Sequence, residues 1–104
     1  MKLAVTTILA LAAISTEARS DQLFAIQFGG LIASEQACDL AFDEAAITRA
    51  VDANVAADDL QFLSYFEAGI GTTKRRLGEM SGSTLAAHCA QVRRLAAHFD
   101  LEAD

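Results

Sequence analysis

The residues with chemical capacity are few and scattered. His88 and Cys89 are neighbours, with His98 further on, and this is the nearest the chain comes to a metal cluster. A zinc site takes about four ligands at short spacing, such as C-x-x-C or H-x-x-x-H. The two histidines are ten residues apart, about 280° around a helix at 100° per residue, so they do not share a face. The expectation is surface histidines, no metal and no cofactor. Gly69-Ile70-Gly71-Thr72-Thr73-Lys74 has the residue types of a phosphate loop. It lacks the order G-x-x-x-x-G-K-[ST], and no strand precedes it, so a glycine-containing helix is expected instead.

Charge clusters offer a little more. Lys74, Arg75 and Arg76, together with Arg93 and Arg94, form a candidate anion patch if two helices bring the triplet and the pair together. The alternative is two solvated helix faces, with Glu79 at helical spacing from Arg75 and Arg76. The acidic pairs Asp43-Glu44 and Asp58-Asp59 fall at expected helix starts, where negative charge suits the helix dipole. No serine lies in a turn motif that would set it beside a histidine and an acid. No catalytic residue emerges, and a non-enzymatic chain is expected.

What positions these residues begins with a leader. Met1-Lys2 precedes an apolar run of 12 residues, Leu3 to Ile14, and then Ser15-Thr16-Glu17-Ala18-Arg19-Ser20. A short basic start, an apolar stretch and small residues at cleavage spacing are the pattern of a secretory signal. Residues 1–18 are the expected signal peptide, with a second cut possible after Ser20. A bilayer span takes about 20 apolar residues, so the run is too short to serve as an anchor. Export places the protein in the periplasm or outside the cell.

Cutting after Ala18 leaves residues 19–104, an 86-residue single domain with net charge −6, since Lys2 and Glu17 cancel. An acidic domain lacks the basic footprint of a nucleic-acid binder. Its only cysteines are Cys38 and Cys89. In an oxidising compartment they are expected to form one disulfide. The 52-residue loop so closed contributes roughly 4 kcal/mol on the chain-entropy model.

The apolar segment 19–33 is ambiguous. Phe24, Ile26 and Phe28 alternate as in an extended strip, yet a short helix to Phe28 fits equally, and Gly29-Gly30 marks a break. Its aromatic residues either cover the helices or form a partner-binding arm. Residues 34–104 are expected to be a helical domain, because proline is absent and alanine abundant. Ser34 is the expected cap of a short helix through Cys38, ending near Phe42. Asp43 caps a second, with Ile47, Ala50, Val51 and Val55 on one face, stopping around Asn54 to Ala57. Asp58 caps a third, striped by Leu60, Leu63, Phe66, Ile70, Leu77 and Met80, with Gly69 and Gly71 kinking or splitting it. Ser81-Gly82-Ser83 leads into a last helix from about Thr84 to Phe99, with Leu85, Cys89, Val92, Ala96 and Phe99 inward. The acidic tail from Asp100 is expected to fray. The fold class is all-α, a disulfide-stapled bundle of three to four helices.

Cys38-Asp39-Leu40-Ala41-Phe42-Asp43, Asn54-Val55-Ala56-Ala57-Asp58-Asp59, Met80-Ser81-Gly82-Ser83-Thr84 and Ala87-His88-Cys89-Ala90-Gln91-Val92-Arg93-Arg94 resemble a group of small exported alphaproteobacterial proteins. The resemblance covers most of residues 35–99. That family has no assigned function and often carries the automatic label "signal recognition particle" protein, which an acidic exported domain does not suit. This chain departs from it in having Asp39 after the first cysteine, where glycine is common, and Leu85-Ala86 before Ala87-His88. The two-cysteine layout is also similar to the acid-stress chaperones of the enteric periplasm, the HdeA type. Three functions follow as expectations: a binding or structural module for a protein or envelope partner, an acid-stress holdase, and a small anion or ligand binder. The holdase rests on 13 carboxylates, the 14 of the chain less Glu17, whose protonation turns the domain strongly positive.

Overall fold

The structure, a computed structural model, describes residues 21–103. The expected leader lies outside the described residues. Four helices make up the domain: α1 over residues 21–33, α2 Glu44–Asn54, α3 Phe62–Leu77 and α4 Gly82–His98. Among the described residues there is no strand, only an isolated bridge between Phe42 and Glu102. The all-α bundle is the architecture that an alanine-rich, proline-free chain favours.

Residues 21–33 form a helix rather than an extended strip, and Gly29-Gly30 does not break it. The glycines are there for contact. A methyl group built on Gly29 would strike the carbonyl oxygen of Phe66, and one on Gly69 would strike the carbonyl of Ile26. Two helices thus cross at their backbones, which only a missing side chain permits. Further along, Gly30 faces Thr73, and Gln22 Nε2 donates to Tyr65 Oη at 3.2 Å. These pairs advance in the same direction, so α1 and α3 run parallel. Contacts to α4 run the other way: Phe24 and Phe28 meet Phe99, while Ser34 meets His88.

The expected short helix from Ser34 to Phe42 is not formed. Residues 34–39 are instead the turn that ends α1. Leu40 N–H donates to Glu35 O at 2.9 Å and Asp39 N–H to Gln36 O at 3.1 Å, with Asp39 at φ 56°. That is a Schellman closure, whose left-handed residue is most often glycine. Asp39 therefore stands where the backbone itself favours glycine. The same motif closes α4, with Asp100 at φ 55°, Leu101 N–H on Ala96 O and Asp100 N–H on Ala97 O.

This second closure overturns the expectation of a frayed tail. Leu101 is fully buried. Its carbonyl accepts from Asp43 N–H at 2.8 Å, and Ala103 N–H donates to Ala41 O at 3.1 Å. The chain end is held by backbone pairing and by a buried leucine.

The remaining helices follow their local signals with small shifts. Asp43 stands at the N-cap of α2 without a side-chain cap bond. α3 begins at Phe62, not at Asp58, and runs unbroken past Gly69 and Gly71. Ser81 Oγ accepts from Thr84 N–H at 3.3 Å and caps α4. The inward faces of α2 and α4 are those expected, with Ala50, Cys89, Val92 and Ala96 buried. α3 differs. Leu60 and Leu63 are exposed, and Gly69 is its only buried residue. The helix approaches through glycine and through Phe62 and Phe66; of the expected stripe, Phe66, Ile70, Leu77 and Met80 are half-buried, and only its start, Leu60 and Leu63, is turned outward.

The core joins two zones. Five phenylalanines, Phe24, Phe28, Phe62, Phe66 and Phe99, stack or meet edge-on with centroids 5.1–6.3 Å apart. Such pairs add about 0.5–1.5 kcal/mol each beyond area burial. Beside them, Cys38, Phe42, Ala46, Ala50, Val92, Ala96 and Leu101 fill the space between α2 and α4. No buried side-chain nitrogen or oxygen among the described residues lacks a partner.

Candidate functional site

Cys38 and Cys89 are bonded, with Cα atoms 5.2 Å apart, inside the usual window of about 4.4–6.8 Å. The bond ties the turn after α1 to the buried face of α4. Both cysteines are therefore structural, and no free thiol remains among the described residues.

One turn before Cys38 lies a contact that the sequence does not announce. Ser34 Oγ is 2.8 Å from His88 Nε2, across 54 residues of chain, and it also donates to Gly30 O at 2.8 Å. With the hydroxyl proton on Gly30, both contacts are hydrogen bonds only if Nε2 carries a proton and donates. A serine beside a histidine invites a nucleophile reading, but Ser34 has no accessible surface. An activated serine has to reach a substrate carbon, and this one is sealed behind its own helix. The pair instead fixes the His88 ring against α1.

His88 lines a hollow of about 450 Å³ between α1, α3 and α4. Gly30 and Gly69, which belong to the close approach of α1 and α3, are among its lining residues. Ile26, Leu31, Val92 and Leu95 give it apolar walls, and Gln27, Thr72, Thr73 and Gln91 offer hydrogen-bonding groups. Arg76 and His88 are its basic lining residues, and no Asp or Glu lines it. The volume lies within the roughly 300–1,000 Å³ of small-molecule sites.

The candidate anion patch is distributed over several surfaces. Arg76 lines this hollow, whereas Lys74 lines a different one with Ile32, Glu35 and Ile70. Arg75, Arg93 and Arg94 are exposed and line neither. The candidate arm is not free: Phe28 is 1% exposed and Phe24 half-buried, both inside the aromatic cluster. Helix periodicity, not strand alternation, sets their direction, so Ile26 alone of the three is exposed, at 42%. His98 packs edge-on against Phe99 at 4.9 Å, apart from His88. No group of three or more His, Cys, Asp or Glu among the described residues is arranged to hold a metal ion.

Compared with family models, curated proteins and solved structures, the chain finds no match. The geometry of its own side chains is what bears on function. No helix among the described residues is long and apolar enough to cross a membrane.

Two features of this region lay beyond local pattern. The Ser34–His88 link joins residues with no sequence relation. The hollow is lined by Gly30 and Gly69 beside the crossing of Gly29 and Gly69; in a linear reading these glycines mark helix breakers, and glycine within helical periodicity is the available signal of a close crossing.

Proposed function

We propose that this chain is an exported, non-enzymatic binding domain that holds a small ligand in the hollow between α1, α3 and α4. The single observation behind the reading is the hollow itself: apolar walls, two glycines among its lining residues, and a few polar groups. That combination is typical of ligand sites. The expected signal at residues 1–18 and the Cys38–Cys89 bond both suit an oxidising exterior such as the periplasm. A protein partner engaged through Phe24 and Phe28 has less support, since those rings are committed to the core. Membership of the small exported alphaproteobacterial group remains compatible with this function.

Nuclear magnetic resonance titration of the oxidised protein with a panel of small amphipathic alcohols, amines and carboxylates tests the reading. Amide shifts should concentrate at Ile26, Thr72, Gln91 and Leu95. They should vanish in Thr72→Trp, which fills the hollow from an exposed position. Absence of shifts at these residues with every compound, or their survival in Thr72→Trp, overturns it.

The acid-stress reading has one structural support. Glu35 Oε2 accepts from Phe42 N–H at 2.6 Å, bridging the turn after α1 to the strip before α2. A backbone N–H donating to a carboxylate is the stronger, charge-assisted kind of hydrogen bond, and this one braces the disulfide turn. Suppression of client aggregation near pH 2–3 is the deciding measurement, and no protection there removes this second reading.

A further inference from the structure

The hollow is polarised along its length. At one end Gly30, Thr73, Arg76 and His88 come together, and at the other Ile26, Gly69 and Leu95. The parallel run of α1 and α3 sets this order, because Ile26 meets Gly69 one turn before Gly30 meets Thr73. His88 is fixed at the polar end by Ser34, which itself bonds Gly30. The seven-residue step from Gly69 to Arg76 spans about 10 Å at the helical rise. The Arg76 guanidinium stands at one end, and no acidic side chain lines the site although the chain carries 14 Asp and Glu residues.

We infer that the ligand is a free monocarboxylate of about eight carbons in all, whose extended zigzag, each ~1.5 Å bond advancing the chain by somewhat less than its length, is matched to that span. The inference rests on the hollow being a ligand site. The carboxylate lies at Arg76, where the guanidinium offers a planar pair of donors matched to two carboxylate oxygens. Thr73 Oγ1 is placed to add a hydroxyl donor. The tail runs between Ile26 and Leu95, over Gly69, where burial of methylene groups supplies the affinity. A doubly charged phosphate is a poorer match, because a single arginine leaves its second charge unpaired. A positively charged amphiphile meets Arg76 head-on.

Four probes on the oxidised protein separate the possibilities: octanoate, octanol, octylammonium and acetate, each read by amide shifts and by calorimetry. Octanoate should bind most tightly. Acetate, without a tail, and octylammonium, with the wrong charge, should each bind at least tenfold more weakly. Arg76 is exposed, so Arg76→Gln should leave the fold intact and weaken octanoate about fivefold, with octanol unchanged. Thr72→Glu, also at an exposed lining position, should abolish octanoate binding and spare octanol. Equal binding of octanol and octanoate, with Arg76→Gln silent on both, overturns the carboxylate assignment while leaving the ligand hollow standing. Shifts at the hollow with none of the four overturn both.

Discussion

The two sides of this domain are held by different means. On one side, α4 is joined to the turn after α1 by Cys38–Cys89, and its end is clasped to the strip before α2 through Leu101, Asp43, Ala41 and Ala103. On the other, α3 has one buried residue, a glycine, and rests on α1 through a backbone crossing and half-buried aromatics. The covalent and backbone ties all lie away from α3. The comparison teaches that a small disulfide-bonded domain can place its fixed points on one side and keep the wall of its hollow on the other. Elements with few buried apolar contacts open first, so α3 should be the first to exchange its amide hydrogens and α4 the last.

Removing the ties should break this contrast most. The double variant Cys38→Ser, Cys89→Ser should lose about 4 kcal/mol of stability, seen as a lowered denaturation midpoint, and protection of α4 should fall to that of α3. If stability is unchanged, the disulfide is not what distinguishes the two sides. Leu101→Ala should cost about 3 kcal/mol, within the range for deleting a buried leucine side chain. Its hydrogen-exchange signature should appear at Asp43 and Ala103, whose bonds the tail positions. Protection undiminished at those two amides would show that backbone pairing alone holds the chain end.

Acting on the other side should sharpen the contrast. Gly69→Ala forces a methyl group against the carbonyl of Ile26, and no side-chain rotation relieves a backbone collision. A loss of about 2 kcal/mol is expected, with faster exchange confined to α3 and α1. Uniform loosening of all four helices would mean that α3 is as firmly integrated as α4. The smallest effect should be a gain. Asp39→Gly relieves the left-handed turn at φ 56° and should raise stability by about 0.5–1 kcal/mol, read from the denaturation midpoint.

How far the sequence discloses this molecule varies by region. The inward face of α4, the cap at Ser81 and the end of α2 at Asn54 are all local, and each shows in residue spacing. α3 shows why spacing can mislead. Its leucines mark an apolar stripe, but the helix docks through Gly69, which carries no hydropathy signal. The tail misleads in the opposite sense, since acidic residues around Leu101 conceal one fully buried leucine. For the candidate site, Arg76 belongs to a basic run visible in the chain, whereas its separation from Arg93 and Arg94 depends on helix rotation. His88 lay in view, but its partner Ser34 did not.

The sequence by itself determined the helical class and the disulfide pairing. Propensity, capping and periodicity act within a few residues, and two cysteines admit a single intramolecular pairing. Tertiary structure alone decided that Gly29 and Gly69 are a crossing rather than breaks, that Ser34 holds His88, and that a hollow opens beside them. Those features depend on how closely backbones from distant segments approach. That distance is set by the packing of the whole domain, not by any one stretch of it.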